Sequence, residues 1–262
     1  MRQSDLRVRR EPIYFGGRYL KLDRPIAQTA WVLDGKRMTE LSVGECIGDV
    51  VQRVTGASEV VMVAAGREDA DVRMVGRGRP FYLEVKNPRC TVVDVERVAK
   101  EVNEKWAGKV GVSQLGWVNK SDLKLVKLGE EMKPKTYSCL LWLNRPTRDA
   151  IHKVNTTTDL LVHQLTPTRV LHRRPNVVRD KLIHSIELAP VDEAAGFYRA
   201  VLKTQAGTYI KEFCHGDFGR TSPSLRTLLG TQVDILELDV VDIDLEWPPI
   251  GPATSDGAAE NE

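Results

Sequence analysis

The chain has 262 residues, of which 42% are hydrophobic and 28% charged, with a formal net charge of +2. These proportions allow a sizeable core and exclude a chain that is disordered throughout. No run approaches the roughly 18 apolar residues of a membrane span, and the N-terminal residues lack the apolar stretch of a secretory signal. The four cysteines form no CxxC pair. We therefore expect an intracellular protein of a reducing compartment, the nucleus and/or the cytoplasm.

The net charge conceals an uneven distribution along the chain. Residues 231–262 contain nine acidic residues and no Lys or Arg, so the preceding 230 residues carry a net charge of +11. A strongly basic body is typical of proteins that bind nucleic acids. Within the acidic end, we expect residues 251–262 to be a disordered tail and the acids of 234–246 to line a solvated strand face.

The first half of the chain predicts alternating elements. Residues 1–40 are basic and show no regular pattern. Ser42 and Glu45 form a capping-box pattern, and apolar residues at helical spacing follow as far as Gly56, which predicts a helix. The patterns beyond it predict a strand, a loop, a strand, a helix and a strand over residues 58–65, 66–80, 81–87, 93–106 and 110–118.

The second half is predominantly strand-like. Ser222 and Pro223 predict the start of a helix that ends at Gly230. Apolar and acidic residues alternate over 233–247, which is typical of a half-buried antiparallel strand. Other segments predict strands over 135–144 and 197–205, two strands around a basic turn within 166–188, and a short helix over 147–154. Together these elements predict an α+β fold, with a strand-rich sheet and a few helices on one side.

The predicted loop 66–80 is the first candidate site. Neighbouring guanidiniums would keep a carboxylate there ionised, as suits a nucleophile or base acting beside a phosphate backbone. A solvated charged hairpin fits the same composition, so the pattern leaves both interpretations open. The loop contains three acids and four arginines: Glu68, Asp69, Asp71, Arg67, Arg73, Arg77 and Arg79.

A second charged segment covers residues 205–224. Lys211 is a cation that can pair with a catalytic carboxylate. His215 and Asp217 lack a second histidine at metal-ligand spacing, which favours a turn over a metal site. Arg220 adds a further cation to the segment.

Residues 169–181 form the third charged segment, with five Lys or Arg, one acid and His172. A protruding basic turn suits phosphate contacts across an RNA helix, and a solvated hairpin is the alternative. On another strand, the spacing of Tyr137 and Trp142 directs them to opposite faces. Core packing is favoured for each of them, and stacking on a base is the alternative.

These segments together resemble the pseudouridine synthases. AGREDADVR (65–73) is similar to the AGRTDAGV motif of the TruA family, whose aspartate aligns with Asp69, and GTYIK (207–211) is similar to GTYIR of the TruB family. The longer segments GREDADVRMVGRGRPF, QLTPTRVLHRRP, KTQAGTYIKEFCHGDFGRT and DILELDV…WPP resemble the archaeal and eukaryotic tRNA pseudouridine synthase family called Pus-ten. The resemblance runs from about Arg10 to Pro249.

The resemblance implies a fold, a reaction and a domain plan. The fold is a mixed, mainly antiparallel sheet with a central cleft and flanking helices and loops, formed by residues 41–250, with 1–40 packed on that catalytic domain. The reaction is the isomerisation of uridine to pseudouridine in the tRNA T-loop, at position 54 and/or 55, by a monomer without cofactor, catalytic metal or membrane. Full-length relatives carry an N-terminal accessory domain, related to THUMP domains and containing cysteine-bound zinc, which has no counterpart in this sequence.

The resemblance also assigns roles to residues. Asp69 is the nucleophile, or the base that removes the C2′ proton to give a glycal; the sequence leaves this choice open. Tyr137 stacks on the flipped base or transfers a late proton, and Lys211 pairs with Asp69. Candidate RNA-binding residues are Arg67, Arg73, Arg77, Arg79, Arg169, His172, Arg173, Arg174 and Arg220.

Two other functions remain as alternatives. One is an RNA-binding processing factor without turnover. The other is a metal-dependent nuclease, because Asp71 followed by Glu84 and Lys86 is similar to a common nuclease arrangement.

Overall fold

The structure, a computed structural model, describes residues 9–249, so the predicted tail at 251–262 lies outside the described residues. The chain divides into two compact units. The first contains the residues up to Ala70, Gly78–Leu128 and the residues from Leu245 onward, and the second contains Asp71–Arg77 and Gly129–Asp244. Within the described part, no helix has the length and apolarity needed to cross a membrane.

The described residues contain twelve strands and six α-helices. The strands are β1 (Ile13–Lys21), β2 (Val32–Leu33), β3 (Lys36–Arg37), β4 (Glu59–Ala64), β5 (Arg73–Lys86), β6 (Val110–Trp117), β7 (Lys135–Leu143), β8 (Thr158–Leu165), β9 (Val178–Asp192), β10 (Phe197–Thr204), β11 (Thr221–Ser222) and β12 (Val233–Ile243). The helices are α1 (Val43–Thr55), α2 (Val95–Lys105), α3 (Leu123–Met132), α4 (Arg148–Asn155), α5 (Ile210–His215) and α6 (Leu225–Leu229).

In the first unit, β1 pairs antiparallel with β6, and β4 pairs antiparallel with the later part of β5. Helix α1 begins and ends as predicted. The Ser42 hydroxyl accepts a hydrogen bond from the Glu45 amide, and Gly56 takes the left-handed conformation at φ 59° that ends many helices. The apolar face of α1 is buried, which supplies part of the core of this unit.

The second unit is built on strands in the order β11–β8–β9–β10–β7–β12, each pair antiparallel. Strand β12 also pairs in parallel with the beginning of β5, where Asp239 is the register partner of Arg73. The predicted α+β fold with a large, mixed, mainly antiparallel sheet is therefore confirmed. The central cleft stays a prediction.

The expectation that residues 1–40 are irregular was wrong for one segment. Within 1–40, which show no regular pattern in the sequence, Ile13–Lys21 forms a strand that is buried almost throughout. A strand buried on both faces shows no polar alternation, and its two cations are buried because they bond to backbone carbonyls: Arg18 to Leu245 and Lys21 to Ile26.

The predicted loop 66–80 ends at residue 72, where β5 begins. Gly76 and Gly78 lie inside the strand rather than in a loop. A Cβ on Gly76 would lie 2.2 Å from the Val241 carbonyl oxygen, and one on Gly78 would lie 2.7 Å from that of Tyr19. The glycines therefore permit close backbone contact in the sheet.

Further differences from the predicted elements occur after β6. Strand β8 and helix α3 were not predicted, and the partner that precedes the basic turn is β8, which ends at Leu165. The last helix begins two residues later than predicted, because Ser224 is its N-cap, but it ends at Gly230 as expected. Strand β12 is half-buried and antiparallel to β7 as predicted, although register shifts interrupt its alternation.

Candidate active site

The loop that contains Asp69 is anchored in the first unit by a buried charged cluster around Glu68. The Glu68 carboxylate accepts hydrogen bonds from Arg79 Nε (2.7 Å) and from the Tyr19 hydroxyl (2.9 Å), and Lys21 Nζ lies 3.8 Å away. Burial and the nearby negative charge raise the pKa of the Tyr19 hydroxyl, so it remains a donor. Glu68 is therefore a structural residue of the loop, as a buried and fully bonded carboxylate should be.

The loop backbone is held by the same cluster. Lys21 Nζ donates to the carbonyl oxygen of Asp69 (2.8 Å), and Gln28 Nε2 donates to that of Gly66 (2.8 Å). Arg67 lies exposed between these anchors, and the Asp69 residue is half-buried. Because buried side chains fix the backbone on both sides of it, the position of Asp69 is closely defined.

Arg79 is not available as an RNA contact, contrary to the sequence-based expectation. It is only 1% exposed, and its guanidinium bonds to Glu68 and to the Ala65 carbonyl oxygen (2.7 Å). Its role is to neutralise Glu68 inside the first unit.

In the second unit, Lys211 contacts a carboxylate of the same loop motif. Its ammonium nitrogen lies 2.6 Å from Asp71 Oδ2. Partial loss of water opposes ionisation of Asp71, but the hydrogen bond and charge of Lys211 outweigh it and hold the Asp71 pKa below its ordinary value. The resemblance predicts Asp69 as the partner of Lys211, whereas Asp71 was placed in the charged loop and in the nuclease-like pattern. The pairing with Asp69 stays a prediction.

Lys211 is positioned by the start of helix α5. Tyr209 is the N-cap, and the side chain of Gln164 bonds to both of its backbone groups: Oε1 accepts from the amide and Nε2 donates to the carbonyl oxygen, each at 2.9 Å. Gln164 is fully buried on β8. Gln164 is the first residue of the QLTPTRVLHRRP segment, but no role was assigned to it from the sequence because strand β8 was not predicted.

Tyr137 lies in the middle of β7, between β10 and β12, with Leu202 and Val240 as register partners. Its side chain belongs to the buried set, at 9% exposed, whereas Trp142 is half-buried. Tyr137 is thus a sheet residue of the second unit with a small accessible fraction.

Two more arginines of the predicted RNA-binding set bond to acids of β12. Arg73 forms two hydrogen bonds to the Asp239 carboxylate (2.9 and 2.6 Å), and Arg77 forms two to that of Asp242 (2.8 and 3.0 Å). Asp239 is only 6% exposed, so the expectation that the acids of β12 line a solvated face was wrong for this residue. These bidentate pairs neutralise positive charge within the second unit.

The basic turn predicted within 166–188 is present as an exposed segment between β8 and β9. Every residue from Leu171 to Val178 is exposed, including His172, Arg173 and Arg174. We call residues 168–178 the basic segment. Near its start, Arg169 Nε lies 2.8 Å from Glu212 Oε1, and later Arg174 donates to the Tyr209 hydroxyl (2.9 Å).

Arg220 links Thr166, which precedes the basic segment, to Asn176 near the end of that segment. Its Nη2 donates to the Thr166 carbonyl oxygen (2.7 Å) and to Asn176 Oδ1 (2.6 Å). The Thr166 hydroxyl in turn donates to the Pro175 carbonyl oxygen (2.6 Å). The structure therefore gives Arg220 an internal contact where the sequence predicted an RNA contact, and it adds Thr166 as a positioning residue.

The charged residues of the two alternative sites have other partners. Asp217 bonds to Thr168, its amide donates to His215 Nδ1, and no group of three potential metal ligands occurs among residues 9–249. Lys86, part of the nuclease-like pattern, contacts Glu59 on the neighbouring strand (3.0 Å).

Comparison with known proteins identifies the family of the chain. The family model described as "Pus10, C-terminal" matches residues 14–244. The chain belongs to the Pus10 C-terminal family. The matched range contains Asp69, Tyr137 and Lys211, as well as the whole basic segment.

Curated members of the Pus10 family support the match. The chain is 44% identical over 241 residues to the tRNA pseudouridine synthase Pus10 of Homo sapiens, covering 90% of this chain and 45% of that one. It is 39% identical over 249 residues to the protein of the same name from Methanothrix thermoacetophila, covering 89% and 54%. The chain thus spans about half the length of these Pus10 relatives.

Solved structures are more distant from this Pus10-family chain. A Cbf5–Nop10–Gar1 complex matches at 15% identity with a TM-score of 0.48, over 86% of this chain and 47% of that one.

Proposed function

We propose that this chain is the catalytic part of a tRNA pseudouridine synthase that isomerises uridine in the T-loop, at position 54 and/or 55. The observation that carries the proposal is the anchored Asp69 loop. Lys21 binds the Asp69 backbone, and Arg79 and Tyr19 bind the adjacent Glu68. Such anchoring presents one carboxylate in a defined position, as catalysis requires. The names of the curated relatives support the same reaction.

The reaction requires access to a base that is normally stacked. The enzyme flips the nucleotide out of the T-loop, at a cost of roughly a few kcal/mol. The bond between C1′ and N1 breaks, the uracil turns, a bond forms between C1′ and C5, and the C5 proton is lost while N1 gains one. Atoms and electrons balance within the nucleotide, so the reaction consumes no co-reactant.

Asp69 is the residue we assign to this chemistry. Its carboxylate attacks the nucleotide or removes the C2′ proton to give a glycal, and both routes need an ionised aspartate. A small part of Tyr137 is accessible to solvent. We assign this part to stacking on the flipped base or to a late proton transfer. Lys211, held by Asp71, supplies a fixed positive charge that favours negative charge developing during the reaction.

RNA contacts are assigned to the exposed cations. His172, Arg173 and Arg174 lie on the exposed part of the basic segment, and Arg67 lies exposed in the Asp69 loop. Each exposed guanidinium can bind a phosphate and release condensed counterions. By contrast, Arg73, Arg77 and Arg79 bind carboxylates of the chain itself, so we omit them from the proposed RNA-binding surface.

Chemical mapping of pseudouridine on a tRNA transcript tests the proposal. The transcript is incubated with the purified chain, with Asp69→Ala, with Asp69→Asn, and with Asp234→Asn as a control that removes an exposed carboxylate from β12. We expect modification at position 54 and/or 55 by the wild type and the control, and none by either Asp69 variant, while both variants still bind the transcript. Turnover by an Asp69 variant, or none by the wild type, would overturn the proposal.

A further inference from the structure

Phe218 is an exposed aromatic residue with an unfavourable backbone conformation. Its side chain is 97% exposed, more than any other large hydrophobic residue in the described part of the chain. It lies in a turn, Gly216–Gly219, in which all four residues have positive φ, with Phe218 at 58°. This left-handed region is disfavoured for residues that carry a Cβ, and rare for bulky ones.

The turn is held by a buried aspartate. Asp217 is only 3% exposed, and its carboxylate accepts hydrogen bonds from the backbone amide of Thr168 (3.1 Å) and from the Thr168 hydroxyl (2.8 Å). Arg220 Nε lies 3.5 Å from the same carboxylate. These contacts offset the unfavourable backbone, so the turn presents Phe218 to solvent on a fixed support.

The same contacts attach the turn to the basic segment. Thr168, the partner of Asp217, is the first residue of that segment, and Arg220 bonds to Asn176 near its end. The aromatic ring is therefore displayed next to a segment that exposes Arg173 and Arg174. An aromatic face beside exposed cations is the combination by which proteins bind unpaired nucleotides.

We propose that Phe218 stacks on an unpaired base of the RNA substrate while the basic segment binds the adjoining phosphates. This inference rests on the proposed function and adds to it a residue outside the reacting centre. The ring has no hydrogen-bonding group, so it suits any base through its π face. The surroundings of Phe218 are charged, whereas the centre of a protein–protein interface is apolar. These surroundings therefore favour a polyanion over a protein as the partner.

Three substitutions at this position separate stacking from apolar contact. Phe218→Ala removes the ring, Phe218→Leu keeps an apolar side chain without a π face, and Phe218→Trp keeps a stacking surface. We expect a Kd for the tRNA transcript about 5- to 100-fold higher for the Ala and Leu variants, the fold-change that corresponds to one lost stacked base. The Trp variant should bind as tightly as the wild type.

Salt dependence and a control variant complete the test. Stacking releases no counterions, so the slope of log Kd against log salt should be the same in all Phe218 variants. Leu236→Ala, which removes another exposed apolar side chain of the second unit, should leave the Kd unchanged. Thermal unfolding is expected to be unaltered in each variant, since the ring is exposed.

Several outcomes would overturn the inference. Equal binding by wild type and Phe218→Ala would show that the ring does not contact the RNA, while modification by the wild type would leave the proposed function intact. Full binding by Phe218→Leu together with weak binding by Phe218→Ala would reject stacking in favour of an apolar contact with the RNA. If the wild type neither bound nor modified tRNA, both proposals would fail.

Discussion

The ammonium group of Lys211 lies 2.6 Å from the carboxylate of Asp71, although the two residues are separated by 140 positions in the chain. Asp71 lies two residues after Asp69, and Lys211 is the second residue of α5. The contact links the segment after the Asp69 loop to the GTYIK motif within the second unit. We therefore expect Asp71 to position Lys211, a role distinct from the proposed catalytic role of Asp69.

Substitutions of this pair should affect turnover more than binding. We expect Lys211→Met to lower the rate of pseudouridine formation by roughly a hundredfold, a typical effect of losing one preorganised charge. Asp71→Asn should lower it by about tenfold, as loss of one charge-assisted hydrogen bond would. Single-turnover rates and Kd values for the tRNA transcript provide the measurement, with Lys203→Met as an exposed-lysine control. An unaltered rate in Lys211→Met would refute its role.

The ionisation of Asp71 gives an independent test that needs no RNA. Lys211 lowers the pKa of Asp71, so the pair stabilises the folded state above the ordinary aspartate pKa of about 3.9, and this contribution is lost as the pH falls through the lower folded-state value. In Lys211→Met, partial loss of water remains without the cation, and the pKa should rise to its ordinary value or above it. NMR titration of the Asp71 carboxyl carbon, assigned with Asp71→Asn, measures the shift; equal pKa values in both proteins would contradict the contact.

Arg173 and Arg174 should account for part of the salt dependence of RNA binding. If each binds one phosphate, the Arg173→Ala, Arg174→Ala double variant should weaken tRNA binding and reduce the slope of log Kd against log salt by about 1.5. A matched double variant removes Arg148 and Arg226, exposed arginines on α4 and α6. Equal slopes for both double variants would show that Arg173 and Arg174 contribute only to the overall charge and make no specific phosphate contact.

The Glu68 cluster should contribute strongly to stability. Arg79→Met leaves Glu68 buried with one cation fewer, and loss of one partner from a buried ion pair costs about 3–5 kcal/mol. Arg67→Met makes the same chemical change at an exposed position of the same loop and should alter stability by no more than about 0.5 kcal/mol. Urea unfolding measures both; similar midpoints for the two variants would argue against a structural role for Arg79.

Patterns that arise within one element were predicted well from the sequence. The Ser42 N-cap of α1 and the αL glycines at Gly56 and Gly230 depend on contacts a few residues apart, and the structure contains them. Strand β1 was missed because it is buried on both faces and its cations bond to backbone carbonyls. A sequence window shows such a segment as basic and irregular.

Contacts between distant segments explain the other errors. The arginines of β5 looked available for RNA because their partners, Asp239 and Asp242, lie more than 160 residues away. Arg79 looked exposed because the glycines around it suggested a loop, whereas they mark close approach of strands. Motif resemblance singled out Asp69, Tyr137 and Lys211, but only the coordinates show that Lys211 contacts Asp71.

The paired arginines of β5 have a consequence for selectivity. Asp239 and Asp242 form ion pairs with Arg73 and Arg77. A polyanion that approaches this strand therefore encounters neutral pairs instead of two free positive charges. We expect that removing the two acids would release both arginines and increase the retention of the protein on heparin. The acids of β12 therefore lower the positive charge that Arg73 and Arg77 offer to any polyanion.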